Sequence, residues 1–505
     1  MFVDARAVGE TRSFAADVAV VGGGAAGLSL AVALEAHGLD VVLIESGGFA
    51  PEAATQALYA AASTGAPYPV PTCRLRQYGG TLNHWGGTTR PLDAFEFERH
   101  DWVPHSGWPI GAADLAPYYP RAAAVLDVPR ADFAFDPAER DSQGLPPLLG
   151  DSGDFAPVVW RRTQPGATRV GDKYRDAIAE SRRIRCLLHA NATQLVTDGE
   201  SRTVETLRLG VLGGGELRVR ARHVVLAAGA IENARLLLDS GGLGNAHDQV
   251  GRCFADHGFH LLGWVLVTHP GSWLREERFM RALPAPGLRR DDTGFAATPA
   301  FRRRRKSLGF SMIAGPFDPV DEAGPGAAGV RELTRGPDGQ RVRRPKTAPG
   351  DVPQSDTRWM GLLAVVEQSP NPQSRITLGH ERNALGARNA VIHHALQEAD
   401  WRSLRTSAEA FGVAVAKAGH SRVRLAGIDG QRWIQGGGGH HSGTTRMSDD
   451  PKRGVTDRHG RVHGVANLWV AGSSLFPTAG WAHPTLSVVA LSLRQADRLA
   501  EVQKS

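Results

Sequence analysis

An apolar run, Asp17-Val-Ala-Val-Val21, leads directly into Gly22-Gly-Gly-Ala-Ala-Gly27, and no other stretch limits the fold of this chain so tightly. The run is short, continuous and valine-rich, which predicts a strand buried on both faces in a parallel sheet. The pattern beyond it predicts a helix from about Ala25 to His37, closed by Gly38, and a second buried strand, Val41-Val-Leu-Ile44, that ends at Glu45. Strand, glycines, helix, strand and acid in that order make a dinucleotide-binding unit. Gly22 permits the tight turn, Gly24 lets backbone approach a pyrophosphate, and Gly27 lets the helix pack on the strand. The helix N-terminus favours the negative charge of the pyrophosphate, and Glu45 is placed to accept hydrogen bonds from a ribose 2′-hydroxyl. The unit suits FAD and NAD equally.

The remaining strands of that sheet lie far away in the sequence. His223-Val-Val-Leu-Ala-Ala-Gly229 and Asn467-Leu-Trp-Val-Ala-Gly472 are further apolar runs that end in glycine, and a helix is expected from Ile231 to Leu238. Together with Val18–Val21 they suit one parallel sheet whose C-terminal edge gathers ligand-binding loops, including Gly229, Gly472 and Ser473. The expected fold class is therefore α/β (α+β overall), a Rossmann-like nucleotide domain with an inserted substrate domain whose sheet is mostly antiparallel and flanked by helices. The discontinuous nucleotide domain takes residues 1–255 and 436–505, with residues 51–183 partly covering the cofactor and the substrate domain; residues 256–435 form the substrate domain. Within the insertion, residues 360–378 and 390–396 read as strands and Glu398 to Ala418 as a helix, while the Pro- and Gly-rich stretch from Phe317 to Gly350 reads as a long loop.

Composition removes several function classes. At 505 residues, 42% hydrophobic and 22% charged, the chain is an ordinary globular protein with roughly two to four domains' worth of length. No apolar run approaches the ~18 residues that span a bilayer. Residues 1–10 lack a signal core and a twin-arginine pair, so a cytoplasmic location is expected, with export by an accessory subunit as the alternative. Cys73, Cys186 and Cys253 are too scattered for a disulfide framework, and an iron–sulfur cluster needs about four clustered thiolates. No metal site is expected, and electrons from a redox reaction would pass to an external acceptor such as oxygen or a quinone. The net charge of +6 has its densest source at Arg302-Arg-Arg-Arg-Lys306, with Arg341, Arg343, Arg344 and Lys346 further on. Without a nucleic-acid fold signature, the run reads as a solvated or loop-anchoring face.

The chain has 19 histidines, and two sit in dense C-terminal motifs. His440 lies in Gly436-Gly-Gly-Gly-His-His-Ser-Gly-Thr-Thr-Arg-Met447 and His483 in Gly480-Trp-Ala-His-Pro-Thr-Leu486. Histidine is the side chain best suited to moving a proton near neutral pH, with an unperturbed pKa of about 6.5.

These motifs, with Gly79-Gly-Thr-Leu-Asn-His-Trp-Gly-Gly-Thr88, Ser106-Gly-Trp-Pro-Ile110, Pro117-Tyr-Tyr119, Ala227–Arg235, Val250-Gly-Arg-Cys-Phe-Ala-Asp-His257 and Glu367-Gln-Ser-Pro-Asn-Pro-Gln-Ser-Arg375, resemble those of the glucose–methanol–choline (GMC) family of FAD-dependent oxidoreductases, and within it bacterial members similar to pyranose oxidases and glycoside 3-oxidases. Residues 266–360 carry no match. The resemblance implies FAD as cofactor, held by Gly80, Asn83, His84 and Trp85 as well as the N-terminal glycines, with Pro484 and Thr485 opening a helix aimed at the flavin. It implies His440 as the base and His483 as its partner, at a position where many sugar-oxidising relatives carry Asn; His441 is expected to point elsewhere. His84 matches a histidine that carries FAD covalently in some relatives, and a covalent bond and simple packing beside the flavin stand open equally. Glu367, Gln368 and Trp481 are implied at the substrate, with a structural role for Glu367 and Gln368 the alternative. The activity implied is oxidation of a secondary sugar or glycoside alcohol, at C2 or C3, to a ketone. The same chemistry on a non-sugar alcohol or an aminoglycoside-type natural product is the first alternative, and a catalytically silent flavoprotein subunit the second.

Overall fold

A computed structural model describes residues 1–8, 12–66, 68, 70, 72–135, 149, 153–164, 168–200, 202–267, 292–315, 358–419, 421–425 and 439–504. The Phe317–Gly350 stretch, Arg341 to Lys346 and residues 436–438 lie outside them.

The first sheet has eight strands: β1 (Phe2–Asp4), β2 (Ser13–Val21), β3 (Val41–Ile44), β7 (Ile184–Leu188), β8 (Asn191–Thr197), β9 (Val204–Gly210), β10 (Glu216–Leu226) and β18 (Leu468–Val470). Its path runs β1-β7-β3-β2-β10-β9-β8, with β18 added beside β10. β10 changes partner along its length: Glu216–Val219 runs antiparallel to β9, whereas Val224–Leu226 runs parallel to Leu468–Val470. Val18, Ala19 and Val20 are completely buried because β3 and β10 flank β2 and helices cover its faces. One of those helices is α1 (Ala25–Ala36), ending one residue before the expected His37 and followed by Gly38 in the left-handed region. The C-terminal helix α5 (Thr485–Lys504) packs on α1, and its apolar positions Leu486, Val489, Ala490 and Leu493 are buried. Between them in chain order come α2 (Gly229–Asp239), α3 (Pro299–Arg305) and α4 (Glu398–Ala418).

The second sheet has seven strands in the order β17-β11-β14-β13-β12-β6-β5, namely Ser421–Leu425, Gly258–Val267, Arg358–Val366, Phe310–Gly315, Asp292–Ala297, Phe155–Arg162 and Thr88–Thr89. All neighbours in it are antiparallel. β5 and β6 come from the covering stretch 51–183, so that stretch is built into the sheet. α4 lies against it through Leu404, Ala408, Phe411 and Val415, which pack with Phe155, Phe295, Phe301 and Phe310. The bounds of α4 are those read from sequence, and Gly419, in the left-handed conformation, ends it.

Two expectations are corrected. Residues 360–378 are not one strand: the chain leaves the second sheet at Val366, and β15 (Arg375–Arg382) begins a separate three-stranded sheet with β16 (Arg388–His394) and β4 (Ala61–Gly65). Pro370 and Pro372 interrupt the run because neither has an N–H for a ladder. The basic run is only partly a solvated face. Arg303 and Arg304 pair with Glu98 and Asp154 at the surface, but Arg302 is 3% exposed and bridges Glu96 and Glu367.

Candidate active site

Parallel pairing brings the ends of β2, β3, β10 and β18 to one edge. The Gly22 N–H donates to Ile44 O at 2.8 Å, Ala227 N–H to Val21 O at 2.7 Å, and Ala471 N–H to Leu226 O at 2.8 Å, which locks the four loops together. A side chain at Gly22 would lie 2.6 Å from Ala227 O, and one at Gly27 would lie 1.9 Å from Gly22 O. Gly79 donates to Gly23 O at 2.8 Å, and a Cβ at Gly80 would meet Gly24 Cα at 2.9 Å. Two glycine loops therefore touch backbone to backbone, and the Gly79–Thr88 segment sits directly on the dinucleotide turn.

Glu45 is buried at the end of β3. One carboxylate oxygen accepts from Gly23 N–H and the other from Gly47 N–H, both at 2.8 Å, and burial raises its pKa. Each oxygen retains a second lone pair for a ribose hydroxyl. Asn83 is turned inward, donating to Tyr78 O at 2.9 Å, and Trp85 donates to Thr168 O at 2.8 Å. His84 lies between them in sequence, half-buried, with its pKa lowered by burial.

The second half of the site is made of side chains. The rings of His440 and His483 have centroids 5.1 Å apart at 79°, so the structure brings the two C-terminal motifs together. Both residues are half-buried. Burial first, then the neighbouring imidazoles, lowers His440 well below the usual histidine range; burial, with His257 and Arg162, takes His483 to about 3. Both rings are neutral near pH 7. His483 Nδ1 has no hydrogen-bond partner among the described residues. His441 faces away, against Tyr68 and Phe254.

The His440 segment is clamped on both sides. Ser442 forms a bridge with Ala255, Thr445 N–H donates to Ser474 O at 2.9 Å, and Thr444 Oγ1 donates to Ala230 O at 2.6 Å. Gly472 and Ser473 thus connect the cofactor edge to the histidines, with Gly443 N–H donating to Ser473 O at 3.3 Å.

Sequence reasoning did not single out His257, Asp256, Tyr68 or Phe259. His257 Nδ1 lies 2.8 Å from His440 Nδ1, and its Nε2 lies 2.8 Å from Gly480 O. One Asp256 oxygen accepts the backbone N–H of both His257 and His440 at 2.8 Å, and the other accepts from Tyr68 OH at 2.6 Å. Burial raises Asp256 to about 6 and lowers His257 to about 4. Phe259 lies beside both His440 and His483, at 5.7 and 6.4 Å between ring centroids. The available signal was the Asp256-His257 ending of one family-like segment.

Glu367 and Gln368 are engaged by the chain itself. Glu367 accepts from Gly480 N–H at 3.0 Å and from Gly309 N–H at 2.8 Å, and pairs with Arg302 at 3.3 Å. Glu96 completes this buried cluster, and burial, with the Glu367 charge adding to it, raises its pKa to about 7. Gln368 Oε1 accepts from Asp256 N–H at 3.2 Å and from His394 Nε2 at 3.0 Å. Trp481 is 2% exposed, set against Trp160 and the Arg90 guanidinium. Pro484 is buried, and Thr485, two residues after His483, opens α5.

The residues present fit FAD. Gly24 precedes α1 and gives it no side-chain cap, and Gly229, exposed with φ of +82°, has nothing within 4 Å of a notional Cβ. Uncapped N–H groups and side-chain-free backbone are what an extended diphosphate requires. The described residues contain no helix long and apolar enough to cross a membrane.

Comparison with known proteins agrees with this arrangement. Residues 17–248 match the FAD dependent oxidoreductase family and residues 370–492 match GMC oxidoreductase. The chain is 27% identical to paromamine 6′-oxidase of Streptomyces fradiae over 96% of its own length and 91% of that protein's. It is 22% identical to the fructose dehydrogenase large subunit of Gluconobacter japonicus over 97% and 98% of the two chains. A shorter stretch, 12% of each chain, is 43% identical to C-glycoside 3-oxidase of Arthrobacter globiformis. Among solved structures, formate oxidase superposes with a TM-score of 0.60 over 98% of this chain and 100% of that one, at 16% identity. Pyridoxine 4-oxidase from Mesorbium loti gives 0.58 over 95% and 98%, at 17% identity.

Proposed function

Because the chain belongs to the GMC-type FAD-dependent oxidoreductases, we propose that it oxidises a secondary hydroxyl of a sugar or glycoside, at C2 or C3, to a ketone. The observation that carries this reading is the His440–His483 pair, two neutral rings 5.1 Å apart and anchored through Ser473 to the edge that fits FAD. Bound there, FAD supplies the hydride acceptor. The residues supply what it lacks. His440 takes the hydroxyl proton, a general-base contribution of about 10²–10⁴-fold in rate. His483 donates to or accepts from the same oxygen and holds the carbon in place. Its unpartnered Nδ1 favours a site that is completed by a ligand. Phe259, beside both rings, offers the apolar wall against which a sugar ring rests.

In this reading residues 1–255 and 436–505 carry the cofactor, residues 256–435 face the alcohol, and 51–183 covers both. Glu367 and Gln368 act by fixing the Gly480 and Asp256 backbones, since both are buried with partners of their own. Electrons leave to oxygen or a quinone.

A second reading, oxidation of an aminoglycoside-type alcohol, is favoured by the full-length relatives, paromamine 6′-oxidase and 6‴-hydroxyparomomycin C oxidase. Anaerobic mixing of the FAD-loaded protein with sugars, glycosides and aminoglycosides separates the readings. Loss of flavin colour with glycosides supports the first, loss with aminoglycosides alone supports the second, and no bleaching by any alcohol overturns both.

A further inference from the structure

The contact between His257 and His440 contains more information than proximity. Gly480 O, 2.8 Å from His257 Nε2, is a carbonyl oxygen and can only accept, so His257 Nε2 carries a hydrogen and donates it. His257 is buried deeply enough to be neutral near pH 7. A neutral imidazole has one N–H, so His257 Nδ1 is bare and accepts. Its neighbour at 2.8 Å is His440 Nδ1, which must therefore be the donor. With the hydrogen on Nδ1, a neutral His440 has its lone pair on Nε2.

We propose that His257 is a positioning residue that fixes the tautomer of His440, so that Nε2 of His440 is the proton acceptor of the alcohol oxidation proposed above. The inference rests on that reading for its function, and for the tautomer on the two contacts of His257 together with the burial that keeps it neutral. A reversed His440 would place two lone pairs against each other at the Nδ1 contact, and a reversed His257 would do so against Gly480 O. The relay is held at every joint. Asp256 accepts the backbone N–H of both histidines at 2.8 Å, Tyr68 OH holds Asp256 at 2.6 Å, and Glu367 holds Gly480 N–H at 3.0 Å. During reaction the hydroxyl proton would pass to His440 Nε2, while FAD, when bound, would supply the acceptor for the hydride lost from the carbon bearing that hydroxyl. The resulting imidazolium keeps donating from Nδ1 to the bare nitrogen of His257, so no rearrangement accompanies the charge.

The test uses ¹⁵N-histidine-labelled, FAD-loaded protein, with the His440 signals assigned by their loss in His440→Asn. The expected spectrum has a protonated Nδ1 and an unprotonated Nε2; a protonated Nε2 in the unsubstituted protein overturns the proposal. His257→Asn places an acceptor oxygen near the lost Nδ1 and should keep both the His440 spectrum and fast flavin reduction. His257→Phe should shift His440 towards the other tautomer and lower the limiting rate of reduction about 10²-fold, with little change in the alcohol concentration for half-maximal rate. Equal losses in the Asn and Phe variants, with an unchanged His440 spectrum, would reduce His257 to packing. If no alcohol reduces the unsubstituted protein, the functional reading fails while the spectrum still decides the tautomer.

Discussion

The cofactor edge and the histidine cluster lie side by side yet are built from opposite materials. The first is backbone: Gly22, Gly24, Gly27 and Gly80 contribute N–H groups and the absence of side chains, and the close approaches are between main-chain atoms. The second is side chain: three imidazoles, a buried Asp256 adjoining one of them in sequence, and a buried Arg302–Glu96–Glu367 cluster, gathered from segments far apart in the chain. The Gly22–Gly27 turn is specified by spacing within a few residues, whereas the side-chain cluster is specified only when the whole chain has folded. Damage to the two regions should therefore separate.

The largest effect expected is at Gly27. Replacing it by Val puts a Cβ 1.9 Å from Gly22 O, and the helix cannot keep its seat on β2. The protein should purify colourless and in low yield; a yellow, fully loaded variant would mean that the glycine contact is dispensable. Next in size is His440→Ala, which should slow flavin reduction by about 10²–10⁴-fold while leaving FAD stoichiometry unchanged. Loss of FAD in that variant would break the distinction between the regions.

Arg302→Met tests the side-chain region without touching the rings. It leaves Glu96 and Glu367 facing each other in the interior, a change that costs about 3–5 kcal/mol when a buried pair loses one partner. Denaturant unfolding should show it, and FAD should remain bound to the folded fraction. The smallest expected effect is in pH dependence. His257 and His394 fall to about 4, and His260, His441 and His483 to about 3, all by burial, so each is neutral when folded and gains a proton on unfolding below about 6.5. Their contribution is complete above that pH and declines as pH falls towards 3–4. Asp256, raised to about 6, Glu96, raised to about 7, and Glu45 and Asp400, also raised by burial, act in the opposite sense, binding a proton more readily when folded, but five histidines outnumber four acids. The melting temperature should fall between pH 6.5 and 5. A rise over that interval would show that the acids dominate.

The same contrast decides what could be read from the sequence. The βαβ unit, the three parallel strands and the bounds of α4 were legible because periodicity, glycine spacing and caps act locally. The pairing of His440 with His483 was legible through the motifs around each. His257 was not assigned a role, because its contact with His440 spans 183 positions and no local pattern encodes it. Arg302 was read within a solvated or loop-anchoring run, and composition does not reveal which of four consecutive arginines turns inward. Trp481, Glu367 and Gln368 were expected at the substrate, and their burial against the chain's own groups became visible only once the two sheets were placed together.

The divided pairing of β10 also has a consequence for how the protein is made. Val224–Leu226 meets Leu468–Val470 only after nearly half the chain has intervened. While the ribosome is still reading the insertion, the dinucleotide glycines have all emerged, but the upper half of β10 presents an open strand edge with no neighbour. Closure must wait for the last segment, the one that also brings His440, His483 and α5. A nascent chain halted before Leu468 is thus a sticky intermediate, and such non-local strand pairing folds slowly. The edge that fits the cofactor and the pair proposed to perform the chemistry are completed by the same late arrival.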